Sequence, residues 1–308
     1  MIPLDLSEYA ARFGDESRPS GPFALSLAEA GDTPLPRRSP HTHKYSFGRA
    51  LLFGGCRGYT GAPVLAANAC ERSGAGLTHL LVPESIYPVA AARCDGAVVT
   101  PLPADAFGGF SPKAAASAAS LLGNADSCCV GPGLGRGEGA AALVETVLRY
   151  VRCPLILDAD ALAVCAGDPG LLAAYPAPVI LTPHEGEFAR MGGDTSSGRL
   201  AGALAFTSEH DNVILILKGH GTLVCRAGEA VVNPTGTPAM AKGGSGDVLA
   251  GMLAALAGQG FDPWFAARCA VYLHGLAGEI ARDRLGEYCV TPSDLIAALP
   301  EAFRAVCV

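Results

Sequence analysis

The sequence predicts an α/β fold in three layers, with a largely parallel sheet between two layers of helices. From Arg49 onward, short apolar runs alternate with segments of helical periodicity, which is the rhythm of repeated strand, helix, strand units. The apolar runs do not alternate with polar residues, as expected of strands that are buried on both faces. Right-handed crossovers between successive strands then make the sheet largely parallel.

Residues 1 to about 40 are rich in proline and show little periodicity. We therefore expect an N-terminal extension that is wrapped on, or hangs from, a main domain over residues 41–308. Within that domain we predict strands near residues 50–53, 77–82, 128–130, 154–157, 178–181 and 213–217. A hairpin should follow over residues 222–225 and 230–232. The principal helices should span residues 63–71, 140–150, 248–256 and 263–280.

Charge and composition exclude several classes of function. The 308 residues include 29 acidic and 22 basic side chains, a formal net charge of −7 that argues against nucleic-acid and anionic membrane partners. No apolar run is long enough to span a membrane, and the N-terminus has no pattern of a signal peptide. The eleven cysteines contain no Cys-x-x-Cys pair. We expect reduced, small core residues and a cytoplasmic protein.

The most informative motif is Gly243-Gly244-Ser245-Gly246-Asp247, which directly precedes a long apolar run. Glycines allow the backbone to turn its amides toward a ligand, and the start of a helix adds unpaired N–H groups, so the turn favours phosphate. The acid that follows is placed to accept a proton from the group that receives the phosphoryl. A helix cap by Asp247 would explain the acid, but it would not explain three glycines in four residues.

Polar residues follow the other predicted strands, where ligands collect in open α/β sheets. Asp158 and Asp160 follow one strand, and each is either a ligand contact or a simple helix cap. The segment 182–188 offers a histidine and two glutamates, but His184 has no second histidine at metal-ligand spacing. Lys218 is either a phosphate contact or an exposed side chain at a hairpin turn. The glycines of residues 131–137 superficially match a dinucleotide fingerprint, but no strand that ends in an acid follows at the required distance.

Taken in order, these motifs resemble those of the ADP/ATP-dependent NAD(P)H-hydrate dehydratases over about residues 41–308. The series comprises His43-Lys44, Gly58 to Pro63, Ser73 to Leu77, Gly131-Pro132-Gly133, Asp158 to Leu162, Leu181 to Phe188, Lys218 to Thr222 and Gly243 to Gly251. The resemblance implies a ribokinase-like three-layer α/β/α sandwich. It also implies a repair reaction, in which ADP or ATP phosphorylates the hydroxyl of NADHX or NADPHX and loss of phosphate restores NADH or NADPH.

The resemblance also implies roles for individual residues. Asp247 would be the catalytic base, and Ala62, Gly133, His184 and Asp247 would surround the hydrate. Nucleotide-binding residues would be Lys218, Gly219, His220, Gly221, Thr222, Gly243, Gly244, Ser245 and Gly246. Mg²⁺ is expected with the nucleotide, but no residue is assigned as a metal ligand.

The resemblance carries expectations about partners as well. Some relatives carry a fused epimerase domain, so this chain should act on the S epimer and depend on a separate NAD(P)H-hydrate epimerase. A homo-oligomer is expected, and the family often forms tetramers. Two other readings remain open. One is a ribokinase-like kinase of a small molecule such as a vitamin precursor, and the other is a nucleotide-binding module without catalysis.

Overall fold

The computed structural model describes residues 1–167 and 170–308. Eleven strands run in chain order: β1 Ile2–Pro3, β2 Ala24–Leu27, β3 Arg49–Phe53, β4 Leu77–Pro83, β5 Val98–Leu102, β6 Ser127–Val130, β7 Leu155–Leu157, β8 Val179–Leu181, β9 Val213–Leu217, β10 Leu223–Arg226 and β11 Glu229–Val232. The α-helices are α1 Leu6–Phe13, α2 Gly61–Arg72, α3 Tyr87–Arg93, α4 Lys113–Leu122, α5 Glu138–Tyr150, α6 Asp160–Gly167, α7 Gly170–Ala173, α8 Glu185–Arg190, α9 Arg199–Ser208, α10 Ser245–Gly258, α11 Pro263–Leu285 and α12 Pro292–Val306. Short 3₁₀ helices span Ala30–Asp32, Lys44–Phe47 and Pro238–Met240.

All eleven strands form one sheet in the order β1-β2-β11-β10-β9-β8-β7-β6-β3-β4-β5. The strands from β9 through to β5 pair in parallel, and β2 is parallel to β11. Antiparallel pairing is confined to β1 with β2, β10 with β11, and β10 with β9. The predicted parallel sheet and the antiparallel hairpin are therefore both confirmed.

Two hydrophobic cores lie on opposite faces of the sheet. Consecutive residues of one strand belong to different cores: Leu52 and Cys129 pack with helices α2, α10, α11 and α12, whereas Leu51 and Cys128 pack with α4, α5 and α9. Side chains of a strand point alternately to its two faces, so a strand covered on both sides must be apolar at every position. This arrangement explains the unbroken apolar runs of the sequence.

The first forty residues join the sheet rather than lying apart from it. β2 forms a parallel pair with β11, with Ala24 opposite Glu229 and Leu27 opposite Val232. The carboxylate of Asp15 accepts hydrogen bonds from the backbone N–H groups of Arg199 and Leu200, at 3.2 and 3.1 Å. A side chain of the extension therefore caps the first turn of α9.

Candidate active site

A partly buried cation, Lys218, contacts acidic residues that follow β7 and β8. The Nζ atom of Lys218, directly after β9, lies 3.1 Å from the Oδ1 atom of Asp158 and 3.7 Å from the Oε2 atom of Glu187. Burial lowers the pKa of Lys218, but the attraction of these two carboxylates outweighs it, so the pKa lies above its ordinary value. Lys218 is therefore positively charged at neutral pH, and the reading as an exposed turn residue is wrong because only 24% of its side chain is exposed.

Asp158 is the buried anion of this cluster, with 2% of its surface exposed. The hydroxyl of Thr182, after β8, donates a hydrogen bond of 2.6 Å to the same Oδ1 atom that Lys218 approaches. Asp160 has a different role, since its two oxygens accept hydrogen bonds from the Gly135 amide and the Arg136 Nε, both at 3.0 Å. The sequence left the roles of both acids open. In the structure Asp158 contacts Lys218 and Thr182, whereas Asp160 contacts Gly135 and Arg136.

Asp247 lies in the first turn of α10, whose N-cap is Gly244 with φ of 103°. Burial and the charge of Asp158 raise the pKa of Asp247 to about 7, although Lys218 opposes the shift. Gly244 has no side-chain acceptor, and no backbone amide of the described residues donates a hydrogen bond to the Asp247 carboxylate. The capping interpretation of Asp247 is therefore not supported, and its pKa is suited to a proton acceptor near neutral pH.

The glycine turn brings the start of α10 against Lys218. A Cβ atom at Gly246 would lie 3.5 Å from the Lys218 Nζ, whereas Gly243 faces open space. Within residues 1–167 and 170–308, the backbone amides of Gly246 and Asp247 donate no hydrogen bond to the protein. The buried hydroxyl of Ser245 donates to the carbonyl of Met240 at 2.8 Å and so holds the turn. Lys218 and two unpaired amides thus form a site for an anion.

The glycines after β6 place Gly133 against the start of α2. Gly133 has φ of +62°, and a Cβ there would lie 3.1 Å from the Ala62 Cβ and 2.9 Å from the Tyr59 carbonyl oxygen. Gly131 approaches Asp158 even more closely, because a Cβ at this position would overlap the Asp158 carbonyl oxygen. The structure therefore brings Ala62 and Gly133 together and joins their loop to Asp158 through Gly131.

His184 is the N-cap of α8, and its Nδ1 accepts a hydrogen bond of 3.2 Å from the Glu187 amide. In return, Glu187 Oε2 accepts a hydrogen bond of 2.9 Å from the His184 amide. More than half of the His184 side chain, 56%, is exposed. His184 therefore combines a structural cap with an open edge of the imidazole, and the shared partner Glu187 ties it to Lys218.

The side chain of Arg199 holds the loop from Lys218 to Thr222 in place through hydrogen bonds to backbone carbonyl groups. The guanidinium of Arg199 donates hydrogen bonds to the carbonyl oxygens of His220, at 2.8 Å, and of Leu217 and Lys218, both at 3.3 Å. Its Nε also lies 2.8 Å from Glu185 Oε1. Gly219 leaves room for this guanidinium, because a Cβ would come within 2.7 Å of it. Thr222 closes the loop with a hydroxyl bond of 2.9 Å to the Gly219 carbonyl.

Sequence reasoning singled out neither Arg199 nor the structural role of Glu187. Arg199 lies in a helix that carries no motif, so only its tertiary contacts identify it. The Nε2 atom of His274 is buried without a partner among the described residues. Burial lowers the pKa of His274 to about 4, and the backbone of Ser245 partly opposes this shift. A neutral imidazole therefore lies behind the glycine turn.

No cluster of three or more histidine, cysteine, aspartate or glutamate residues that could hold a metal occurs in the described part of the chain. Asp158 and Glu187 are a pair of carboxylates against the same Lys218 Nζ. Mg²⁺ in phosphoryl-transfer sites is commonly bound by one or two carboxylates together with the phosphates of the substrate. Asp158 and Glu187 are therefore suited to bind a metal ion that phosphate oxygens also bind.

Comparison with known proteins gives one family. The NAD(P)H-hydrate dehydratase family model matches residues 50–301. The bifunctional NAD(P)H-hydrate repair enzyme of Moorella thermoacetica is 39% identical over 88% of this chain and 52% of its own length. The chain spans about half the length of the curated relatives that it matches first.

A shorter relative is covered almost completely. The ADP-dependent (S)-NAD(P)H-hydrate dehydratase of Bacillus subtilis is 35% identical over 88% of this chain and 94% of its own. Its structure, co-crystallised with ATP and Mg²⁺, has a TM-score of 0.78, 31% identity, and coverage of 91% of this chain and 98% of the other.

A ribokinase-like superfamily protein of Enterococcus faecalis has a TM-score of 0.82 and 29% identity, and covers 92% of this chain and 96% of its own. The expected ribokinase-like fold is confirmed. No helix among the residues described has the length and apolar character needed to cross a membrane.

Proposed function

The chain belongs to the NAD(P)H-hydrate dehydratase family, and on that premise we propose that it uses ADP or ATP to dehydrate the S epimer of NADHX or NADPHX, restoring NADH or NADPH. Hydroxide is a poor leaving group and phosphate is a good one. Phosphorylation of the ring hydroxyl followed by loss of phosphate therefore explains why a dehydration consumes a nucleotide. The shorter relative from Bacillus subtilis is named for this reaction.

The observation that carries the proposal is the position and pKa of Asp247. Its carboxyl group follows two unpaired amides and has a pKa of about 7. In the proposed reaction Asp247 accepts the proton of the ring hydroxyl while that oxygen attacks the terminal phosphorus of the nucleotide. The bond between this phosphorus and the nucleotide breaks, and AMP leaves when ADP is the donor. The ring C–O bond of the phosphate ester then breaks, and the adjacent ring carbon loses a proton.

The nucleotide is proposed to lie along Lys218, Gly219, His220, Gly221 and Thr222, with its phosphates at Gly243, Gly244, Ser245 and Gly246. The charge of Lys218 and the amides of Gly246 and Asp247 support this assignment, because preorganised donors stabilise the charge of the transferred phosphoryl group. Asp158 and Glu187 would hold Mg²⁺ brought in by the phosphates. When bound, this ion would supply further neutralisation of phosphate charge.

The hydrate is proposed to lie against Ala62 and Gly133, with His184 and Asp247 facing the ring. Contact between Ala62 and Gly133, and the open edge of the His184 imidazole, support this placement. The hydrate and the nucleotide would then meet at Asp247.

The R epimer must be converted before this chain can use it, so we propose a functional partnership with a separate NAD(P)H-hydrate epimerase. The bifunctional names of the longer relatives support it. We also propose a cytoplasmic site of action, where the eleven cysteines remain reduced, and a homo-oligomeric assembly, for which a tetramer is one arrangement.

The test is conversion of purified NADHX by the purified protein with Mg²⁺ and either ADP or ATP. We expect the absorbance of reduced nicotinamide to return, together with one equivalent of phosphate for each NADH formed. Reactions without nucleotide, and reactions with a non-hydrolysable nucleotide, are the controls. Folded protein that restores no absorbance with either nucleotide would refute the proposal.

A further inference from the structure

A cavity of about 290 Å³ lies directly beside the proposed substrate site. It is open on one side and is lined by α5 at Ala140 and by three loops, which contribute Cys56 and Arg57, then Asp105, Phe107, Gly109 and Phe110, then residues 134–137. The third loop continues from Gly133, the residue that contacts Ala62. Gly135 lines this cavity next to Cys56. A Cβ atom at Gly135 would lie 3.3 Å from the Cys56 Sγ. We call this space the flanking cavity.

Two arginines at the flanking cavity have hydrogen-bond donors to spare. Arg136 uses its Nε for Asp160, at 3.0 Å, and its side chain is 70% exposed. The terminal amino groups of Arg136 and the whole guanidinium of Arg57 form no hydrogen bond or ion pair with residues 1–167 or 170–308. A guanidinium with free terminal N–H groups is suited to bind phosphate oxygens.

Three of the four carboxylate oxygens at the flanking cavity accept hydrogen bonds from the described residues, and Asp105 Oδ2 does not. Asp105 Oδ1 accepts the amides of Phe107 and Gly109, at 2.8 and 3.0 Å. Asp160 accepts the Gly135 amide and the Arg136 Nε. Their repulsion of an incoming phosphate is therefore reduced, whereas the arginine donors remain available. The ring of Phe107, 86% exposed at the rim, adds an apolar surface on which a base can stack.

The proposed substrate is larger than the site assigned to it. Ala62, Gly133, His184 and Asp247 accommodate a hydrated nicotinamide ring, but NADHX also carries a pyrophosphate and an adenosine. The proposed nucleotide loop, which begins at Lys218, occupies the opposite side of Asp158. On the other side of Asp158, the loop that contains Gly133 leads to the flanking cavity and its arginine donors.

We propose that the flanking cavity binds the pyrophosphate and adenosine half of the hydrated dinucleotide, with Arg57 and Arg136 on the phosphates and Phe107 against the adenine. This inference rests on the proposed function, since it extends the site for the same substrate. It makes the cavity the element that distinguishes a dinucleotide hydrate from the hydrate of reduced nicotinamide mononucleotide.

The test compares these two hydrates as substrates of Arg57→Ala, Arg136→Ala and the double variant. For the double variant we expect the KM for NADHX to rise about 10-fold with little change in kcat, because ground-state phosphate contacts are lost. The KM for the mononucleotide hydrate and the KM for ADP should stay unchanged. The matched control is Arg149→Ala, an exposed arginine at a separate cavity, which should behave like the unaltered protein with all three substrates.

The outcomes separate this inference from the proposed function. An unaltered protein that converts NADHX, combined with variants that lose nothing or lose equally on both hydrates, would overturn the subsite while leaving the function intact. A raised KM for ADP alone would assign the arginines to the phosphoryl donor and also overturn it. Failure of the unaltered protein on both hydrates would overturn the proposed function, and the inference with it. The guanidinium of Arg57 forms no hydrogen bond with the described residues. Arg57→Ala should therefore leave the fold unchanged, and its effect on KM reports on substrate binding.

Discussion

Asp247 combines a raised pKa with a position at the start of a long buried helix. Burial and the neighbouring Asp158 disfavour its charged form, whereas Lys218 favours it. In the free protein, the protonated and ionised forms of the Asp247 carboxyl group are therefore about equally populated near pH 7. Its ability to accept a proton should therefore depend on pH in the physiological range.

Replacement of Asp247 by asparagine should remove turnover while nucleotide binding is retained. We expect kcat to fall by about 10²–10⁴, since the proton acceptor is lost and the shape is kept. For the unaltered protein, kcat/KM should rise with pH through about 7 as Asp247 ionises. Steady-state kinetics and ADP titration calorimetry measure both effects. Asp262→Asn, which alters the N-cap carboxylate of α11, is the control. An Asp247→Asn protein with normal turnover would exclude Asp247 as the base.

The same substitution should stabilise the protein at alkaline pH. The folded pKa of about 7 exceeds the ordinary value of 3.8, so the stability that Asp247 contributes is fully present below 3.8 and is lost as pH rises toward 7. Asparagine does not ionise and avoids this loss. We expect the gain in unfolding free energy of Asp247→Asn to be larger at pH 8 than at pH 5 by about 1–3 kcal/mol. Urea unfolding at both pH values measures it, and a gain independent of pH would contradict the assigned pKa.

At the scale of elements, one side chain couples the N-terminal extension to α9. Asp15 accepts hydrogen bonds from the hydroxyls of Tyr9 and Ser17 as well as from two amides of the helix. Burial raises the pKa of Asp15, but these hydrogen bonds outweigh it and the pKa lies below its ordinary value. Arg199, whose amide is one of the donors, in turn supports the loop at Lys218. The extension is thereby connected to the candidate site.

Asp15→Ala should destabilise the protein by about 2–4 kcal/mol, because it leaves buried donors without an acceptor. The ionised carboxylate contributes its stabilisation above pH 3.8 and loses it as pH falls through the lower, folded pKa, so the difference should shrink under acidic conditions. Chemical unfolding at several pH values measures this. Glu16→Ala, the change at the exposed neighbour, should cost little. Equal losses in both variants would show that Asp15 is not a coupling residue.

Elements that are apolar throughout could be predicted from the sequence, and those defined by distant pairing could not. The runs at β3, β6 and β9 were recognisable because both faces of each strand are buried. β5 contains Pro101 and is partly exposed, which weakens the strand pattern. β2 is a strand because β11 supplies its partner, and a local window of sequence does not contain that partner.

The same distinction applies to the candidate site. Glycine turns and polar strand ends are local features, so Lys218, His184 and Asp247 could be named as candidates from the sequence. Lys218 contacts Asp158, which lies 60 residues away in the sequence. Arg199, which supports the loop, lies 19 residues before Lys218. Such contacts depend on the order of strands in the sheet, which periodicity does not specify.

At the scale of the whole molecule, the distribution of thiols gives a test of the fold. Among the described residues no cysteine forms a disulfide, and the exposed ones are Cys289 and Cys307. Burial raises the pKa of Cys153 to about 12 and that of Cys94 to about 11. Because thiolates are the reactive form, buried thiols with raised pKa values should react slowly.

We expect two of the eleven thiols to react rapidly with an aromatic disulfide reagent at neutral pH, and all eleven to react after unfolding. Spectrophotometric titration gives both counts. Cys289→Ser should reduce the rapid count to one. Rapid reaction of more than five thiols would contradict the packing of the two cores, because six of the eleven are buried, and fewer than eleven after unfolding would indicate a disulfide.

The parallel pairing of β2 with β11 has a consequence for how the chain folds during its synthesis. Residues 24–27 leave the ribosome roughly 200 residues before their partner at 229–232, a wait of about 10–40 s at ordinary translation rates. During that time β2 is an unpaired strand that can associate with other chains. Pro19 and Pro22 precede it, and Pro34 and Pro36 follow, and proline opposes such association. These prolines weaken the strand pattern of β2 in the sequence. They also protect β2 from association with other chains until β11 has been synthesised.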